Sequence, residues 1–277
     1  MFSVVIPLYN KELSIQNTIQ SVLEQTYQEF EIIVIDDGST DNSAKQVKEI
    51  SDSRIKLVQQ KNQGVSAARN RGIKESRFEW IALLDGDDLW EPNHLEEITK
   101  MMREFPEDKV YVTSFKYSDN RSFFKHQRNN PIFKIENYFK EALSEPLIWT
   151  SIIVFHKSCF YAVGGFNERL SRGEDLDLWA RLSKKYNIIK SSEVTAIYRI
   201  EAENRACEAY NLNIHKSSVY YYDLHKNLTK DEFNYYTNRI IKTLRTLLYN
   251  KDVKSFLKLY RKHQSHVSIL NILKVKK

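Results

Sequence analysis

A chain of 277 residues, 42% apolar and 28% charged, has the balance of a globular protein large enough for one large α/β domain, or for a smaller domain with an appendage, and wholesale disorder is excluded. Two cysteines, Cys159 and Cys207, exclude a disulfide-stapled framework and a four-cysteine zinc site. The formal net charge of +6 divides unevenly: from Asn211 onward 14 lysines and arginines face four acidic residues, against 28 and 32 in residues 1–210, so body and tail need separate explanations.

The first third alternates strand and helix patterns. Residues 3–7 are a short apolar run, and residues 14–25 carry Ile15, Ile19, Val22 and Leu23 on one helical face. Residues 32–35 are β-branched throughout, as expected of a strand covered on both faces. They end in Asp36-Asp37-Gly38-Ser39-Thr40-Asp41, a polar turn before a helix around 42–50. Residues 55–58, 65–76 and 80–84 continue as strand, helix and strand, and Leu95, Ile98, Met102 and Phe105 mark the next helix face. Four such alternations predict a parallel sheet with helices on both sides. Ligands of such sheets bind beyond the strands' carboxyl ends, which selects positions after Pro7, Ile35 and Leu84.

Residues 110–117 and 151–155 read as further strands, 118–130 as a polar loop, Gly164-Gly165 as a turn and 176–186 as a helix. From about Glu203 the pattern is helical and basic, with Ile241, Leu244 and Leu248 on one stripe and Arg239, Lys242 and Arg245 on another. The opening residues, MFSVVIPLYNKE, lack a basic n-region, a long apolar run and a small-residue cleavage site. No run approaches roughly 18 apolar residues, so the expectation is a cytosolic chain that does not span a membrane.

Asp85-Gly86-Asp87-Asp88 gathers three carboxylates directly after an apolar strand, where they repel one another unless a cation or proton relieves them. Residues two apart in extended backbone project to one side, so Asp85 and Asp87 can face one site, and an oxygen-rich site suits Mg²⁺ or Mn²⁺. The alternative is an acidic turn stabilising the helix after Pro92. In the Asp36-Asp37 pair a carboxylate can accept from a nucleobase ring N–H such as uracil N3–H, or Asp36 or Ser39 can cap the next helix. Two acidic strand ends in one parallel sheet favour a nucleotide cleft. The small residues of segment 64–72 allow it to lie close to the sheet, from where Arg69 can reach a phosphate or ribose, or else be a solvated surface charge. Gly173-Glu174-Asp175 opens a helix, where a carboxylate can cap it or act as general base beside an acceptor hydroxyl. Without Gly-x-Gly-x-x-Gly, a Walker-type Gly-Lys-Ser/Thr, His-Glu-x-x-His or Gly-x-Ser-x-Gly, nicotinamide, P-loop, zinc-hydrolase and serine-hydrolase chemistry are disfavoured. Cys159 and Cys207 read as small buried residues.

Pro7-Leu8-Tyr9-Asn10, then Val34-Ile35-Asp36-Asp37-Gly38-Ser39-Thr40-Asp41, Asn62-Gln63-Gly64 with Ala67-Ala68-Arg69-Asn70, Asp85-Gly86-Asp87-Asp88 and Glu174-Asp175 occur in the order and approximate spacing of family 2 glycosyltransferases. Over about residues 1–200 the chain resembles that family. The resemblance implies an α/β glycosyltransferase-A fold, a Rossmann-like mixed, mostly parallel sheet flanked by helices, with a helical C-terminal appendage. It implies an inverting, metal-dependent enzyme that moves a sugar from a nucleotide-sugar donor, a UDP-sugar, to a saccharide or lipid-linked saccharide acceptor. The setting implied is bacterial surface polysaccharide synthesis: O-antigen, capsule or lipooligosaccharide.

Carried onto this sequence, the resemblance places Pro7, Tyr9, Asp37, Arg69 and Asp85 at the nucleotide. Asp87, with Asp85 directly or through water, would hold Mn²⁺ or Mg²⁺, and Asp175 would be the general base with Glu174 in support. Residues 1–202 would be the catalytic domain, nucleotide-binding over 1–108 and acceptor-side over 109–202, with 203–277 a basic helical extension. Many members carry Tyr-Arg-x-His after the last core strand, where this chain has Tyr198-Arg199-Ile200-Glu201; Glu201 either replaces the histidine as an oxygen ligand or the contact is missing. The basic tail is either a helical appendage packing its Ile/Leu stripe on the catalytic domain or a docking surface for an anionic membrane, on the inner face of the cytoplasmic membrane. The acidic strand ends argue against nucleic acid as a partner, and retention of both Asp87 and Asp175 argues against a non-catalytic relative.

Overall fold

The computed structural model describes residues 1–119, 130–205 and 213–273. Most of the expected 118–130 loop, and Cys207, lie outside them. Apolar, β-branched runs form β1 (Phe2–Leu8), β2 (Phe30–Asp36), β3 (Ile55–Gln59) and β4 (Trp80–Leu83). Between and after them lie α1 (Ile15–Leu23), α2 (Ser43–Lys48), α3 (Val65–Glu75) and, beyond the short β5 (Leu89–Trp90), α4 (His94–Glu104). The chain continues through β6 (Val110–Tyr117), β7 (Ile132–Lys134), α5 (Tyr138–Glu141), β8 (Ile153–His156), α6 (Lys157–Val163), α7 (Glu174–Ser183) and β9 (Ile189–Tyr198). The C-terminal helices are α8 (Ser218–Tyr221), α9 (Lys230–Tyr249), α10 (Val253–His263) and α11 (Ile269–Leu273).

The strands form one nine-stranded sheet in the order β3-β2-β1-β4-β8-β6-β9-β5, with β7 paired to β9. β1 to β4 run parallel. β8 is antiparallel to β4 and β6, β9 parallel to β6, and β5 and β7 antiparallel to β9. Six of the nine strands therefore share one direction, which bears out a mixed, mostly parallel sheet flanked by helices. The carboxyl ends of β1, β2 and β4 reach one edge, where such sheets bind ligands. Gly72 lets α3 lie against this sheet, because a Cβ there would stand 2.3 Å from Val5 Cγ1.

β9 was not apparent from the residue pattern, since its sequence is largely polar. Its buried polar groups are satisfied from other elements. Lys190 donates to the carbonyls of Thr113 and Leu147, Ser191 Oγ to Glu97, and Thr195 Oγ1 to Thr113 Oγ1. Burial lowers the Lys190 ammonium to about 8. The expected strand at 151–155 begins two residues later, after a single 3₁₀ turn at Thr150–Ile152.

The main core lies between sheet and helices and includes Ile6, Val34, Leu83, Val154 and Trp179. A second core joins Ile240, Leu244 and Leu247 to Leu259, Val267 and Ile272. The C-terminal stripe thus runs one position earlier than expected, Leu248 being 39% exposed, and α10 and α11 cover it rather than the catalytic body. α9 begins with a Thr229/Glu232 capping box and joins the body through Tyr235 and Tyr236 against Phe139, through Lys184–Glu232 (2.6 Å) and through Asn137–Asp231 (2.7 Å). Among the described residues no helix is long and apolar enough to cross a membrane.

Candidate active site

Pro7, Tyr9, Asp37, Arg69, Asp85, Asp87, Glu174 and Asp175 all line one cleft of about 510 Å³ at the carboxyl edge of the sheet. Its first wall is built by turns at the ends of β1 and β2. Asn10, at φ 52°, donates its N–H to Ser39 Oγ and accepts from Thr40 N, which sets the neighbouring Tyr9, 41% exposed, at the cleft. Asp37 is buried; its Oδ1 accepts from Gln60 Nε2 and Gln63 N, and its Oδ2 from Gly64 N. Three bonds leave part of a carboxylate's capacity of about four open. Asp36 turns away, accepting from Ser39 N and Gln59 Nε2. Neither Asp36 nor Ser39 caps α2, whose N-cap position is Asn42.

The turn after β4 presses onto the end of β1: a Cβ on Gly86 would stand 2.9 Å from the Pro7 carbonyl oxygen. Asp85 and Asp87 enter the cleft and Asp88 does not. Asp88 is buried, accepting from Ser151 Oγ at 2.5 Å and from Arg199 N at 3.3 Å. Burial, and then the nearby Asp87 and Asp85, push its carboxyl well above the usual range. The third carboxylate of the tetrad therefore ties β4 to the approach of β8 and the exit of β9 and does not cap α4, whose N-cap position is Asn93.

Asp87 Oδ2 lies 2.6 Å from the ammonium of Lys11, which also donates to the carbonyls of Glu203 and Asn204. Burial raises the Asp87 carboxyl and Lys11 opposes it. Glu203 in turn accepts from Leu13 N and Ser14 N, just ahead of α1. Among the described residues no group of three or more His, Cys, Asp or Glu could hold a metal ion. The donor set around Asp87 is nonetheless all oxygen and already holds a positive charge, which fits a hard cation. Mg²⁺-type ions commonly take one or two carboxylates and complete their shell with substrate phosphates.

Arg69, on α3, is 4% exposed, which excludes a solvated surface charge. Its Nη2 donates to Asp85 at 2.6 Å and its Nη1 to Glu174 at 3.1 Å, with the Phe166 ring 5.2 Å from the guanidinium carbon. Burial alone would weaken its hold on the proton; Asp85 and Glu174 outweigh it and raise its pKa. Arg69 is thus committed to two carboxylates, bridging the end of β4 to the start of α7. Because loss of one partner strands buried charge, Arg69→Met is expected to destabilise the fold by about 3–5 kcal/mol, read by urea unfolding. An unchanged midpoint would show that the bridge does not contribute at that scale.

On α7, Asp175 Oδ1 accepts from Leu176 N at 2.7 Å. Burial, then the neighbouring Glu174, push its carboxyl up to about 6, while the Leu176 N–H, Arg69 and Arg239 pull it down. A carboxylate near 6 that faces a cleft can both hold its helix end and take a proton at neutral pH.

The cleft is completed by residues that the sequence patterns did not single out as site residues: Lys11, Trp149, Thr150, Tyr198, Asn204 and Arg205. Lys11 adjoins the Tyr9-Asn10 motif, Tyr198 opens the Tyr198-Arg199-Ile200-Glu201 element, and Trp149 and Thr150 precede the expected strand at 151–155; Asn204 and Arg205 fall where the pattern was expected to turn helical, but the backbone there is irregular. Glu201 is 54% exposed, accepts from Arg199 Nε and Ser118 Oγ, and is not part of the lining.

The family model described as Glycosyl transferase family 2 matches residues 3–164. Chondroitin synthase of Pasteurella multocida is 27% identical over 247 residues, 82% of this chain and 25% of that protein. The "UDP-Glc:alpha-D-GlcNAc-diphosphoundecaprenol beta-1,3-glucosyltransferase WfgD" of Escherichia coli is 45% identical over 103 residues, 37% of this chain and 41% of that protein. The chain spans between about a quarter and a third of the length of the first curated relatives it matches. The crystal structure of S. aureus TarS 1-349 in complex with UDP-GlcNAc matches with a TM-score of 0.65 at 19% identity, over 99% of this chain and 76% of that one. That likeness is one of fold, and the fold is the glycosyltransferase-A type.

Proposed function

The chain belongs to glycosyl transferase family 2, and on that premise we propose that it is an inverting glycosyltransferase acting from a UDP-sugar on a saccharide acceptor. The observation that carries this is the convergence on one cleft of residues from five separated segments: Pro7 and Tyr9, Asp37, Arg69, Asp85 and Asp87, and Glu174 and Asp175. In this proposal Asp37 accepts from the uracil N3–H, Pro7 and Tyr9 flank the nucleotide, and Asp85 meets the ribose. Asp87, with Asp85 directly or through water, holds Mn²⁺ or Mg²⁺. When bound, the cation neutralises charge on the leaving nucleoside diphosphate.

Asp175 removes the proton of the acceptor hydroxyl as that oxygen attacks the anomeric carbon. The new C–O bond forms opposite the breaking bond to the diphosphate, so an α-linked donor gives a β-glycoside and UDP leaves. Holding hydroxyl and anomeric carbon in register supplies much of the acceleration. Arg69 contributes by fixing Asp85 and Glu174 on the two sides of the reacting centre.

The names of the relatives support a saccharide acceptor, lipid-linked, in bacterial surface polysaccharide synthesis. Residues 1–202 act as the catalytic unit and 203–277 as its basic extension, whose first residues, Asn204 and Arg205, complete the cleft. Exposed Lys254, Lys258 and Arg261 on α10 suit contact with anionic lipid on the inner face of the cytoplasmic membrane.

A panel of UDP-, GDP- and dTDP-sugars with Mn²⁺, scored by thermal stabilisation and slow hydrolysis, tests the donor. A UDP-sugar near 100 times its dissociation constant adds about 2.7 kcal/mol of stability, a rise of several degrees. Stabilisation by another nucleotide alone would overturn the donor, and silence across the panel would overturn the activity.

A further inference from the structure

Beyond Asp85 and Asp87 the cleft continues along the sheet away from β1 and β2, where the strand order places β8, β6 and β9. Trp149 stands just ahead of the 3₁₀ turn that enters β8, Phe115 and Tyr117 lie at the end of β6, and Tyr198 is the last residue of β9. Their rings form one connected cluster of tilted and edge-to-face contacts. Centroids are 4.6 Å apart for Trp149–Tyr198, 5.1 Å for Phe115–Trp149, and 5.6 Å for Tyr117–Tyr198. Phe115 is buried behind the wall, while Trp149 and Tyr198 line the cleft together with Glu174 and Asp175.

Trp149 differs from the other aromatic of the lining at this end. The Tyr198 ring carries the guanidinium of Arg205 at 5.2 Å. The Trp149 indole is half-buried, and its N–H makes no hydrogen bond among the described residues, whereas Trp90 spends its N–H on the Ser151 carbonyl at 2.7 Å. The backbone beneath Trp149 is held, since Ser151 Oγ donates to Asp88 and accepts from Asp85 N. The half-buried indole therefore stands on a fixed backbone at the cleft wall, with an N–H that has no partner among the described residues.

The chemistry of this end selects its occupant. Glu174 and Asp175 line it together with the Arg205 guanidinium, so it offers both hydrogen-bond acceptors and donors beside an aromatic ring. A pyranose is suited on both counts: its C–H face is apolar and covers an aromatic ring, and its hydroxyls meet carboxylates and an indole N–H. We propose that Trp149 is the platform on which the acceptor's pyranose stacks, so that its hydroxyl is presented to Asp175; this role presupposes the glycosyl transfer proposed above. Trp149 is then a specificity-determining residue that favours pyranosides with an unbroken C–H face.

The test uses the full chain as wild type, Trp149→Ala and Trp149→Phe. UDP binding with Mn²⁺ is measured first by calorimetry, and then saturation transfer from protein to the ring protons of methyl glycosides of glucose, galactose and N-acetylglucosamine, with UDP and Mn²⁺ present. Expected is saturation transfer to at least one glycoside in the wild type, weakened about tenfold in Trp149→Ala and largely restored in Trp149→Phe, with UDP affinity unchanged in all three. Equal glycoside binding in Trp149→Ala, or no glycoside bound by a wild type that binds UDP, would overturn the platform. So would a loss of UDP affinity matching the loss of glycoside. A wild type that fails to bind UDP would instead sink the UDP-sugar donor proposed above.

Discussion

Asp175→Asn is expected to keep UDP binding intact and to lower turnover by about 10²- to 10⁴-fold, the contribution typical of a general base. The amide has the carboxylate's shape, and its oxygen can still accept from Leu176 N, so α7 keeps its start. It cannot take the acceptor proton. Because the Asp175 carboxyl stands near 6 and the base works unprotonated, kcat/KM of the wild type should rise through pH about 6 and level above it. Glu174→Gln, by removing a neighbouring negative charge, should move that limb to lower pH, and Asp175→Asn should abolish it. Turnover in Asp175→Asn comparable to wild type would remove Asp175 from the role. Stability carries the opposite sign. A carboxyl raised in the folded state binds more protons there than in the unfolded chain, so its contribution declines as pH rises from about 4 to 6. Asp175→Asn should therefore be more resistant to urea than wild type at neutral pH, a pattern expected where function is held against stability.

Asp87→Ala is expected to eliminate Mn²⁺-dependent UDP binding in a calorimetric titration. Two effects act together. The substitution removes the carboxylate that would ligate the cation, and it leaves the Lys11 ammonium, otherwise 2.6 Å from Asp87, with only the carbonyls of Glu203 and Asn204. An uncompensated positive charge then stands where a dication should sit. Outer-shell partners of metal sites cost about 10- to 100-fold in affinity when removed, and a direct ligand should cost at least the upper figure. Asp88→Asn provides the contrast. Its carboxylate is buried on Ser151 and Arg199, so it should change stability and leave the Mn²⁺ dependence of UDP binding in place. Full-strength Mn²⁺-dependent binding in Asp87→Ala would move the cation elsewhere in the cleft.

The strand–helix alternation of β1 to β4 was legible because each element declares itself locally, by a β-branched run or a 3.6-residue stripe. The motif residues were legible for a related reason: in a parallel sheet the position just past a strand is at the ligand edge, whatever the rest of the chain does. β9 lacked such a signal. Lys190, Ser191 and Thr195 look like loop residues until Thr113, Leu147 and Glu97 supply their hydrogen bonds from elements distant in sequence. The C-terminal stripe was legible as a helix but not in its partner, because an apolar face specifies that it must be covered and not by what.

The sequence by itself determined which carboxylates stand at the ends of strands and that a helix begins at Glu174, since those follow from local periodicity and from turns a few residues long. The tertiary structure alone decided their company: that Arg69 joins Asp85 to Glu174, that Lys11 pairs with Asp87, that Asp88 serves the scaffold, and that Trp149 and Asp175 line the same cleft. Each of those outcomes depends on side chains far apart in the chain meeting in a place where water is scarce. There the balance between desolvation and pairing sets both partner and protonation state, and no local pattern encodes it.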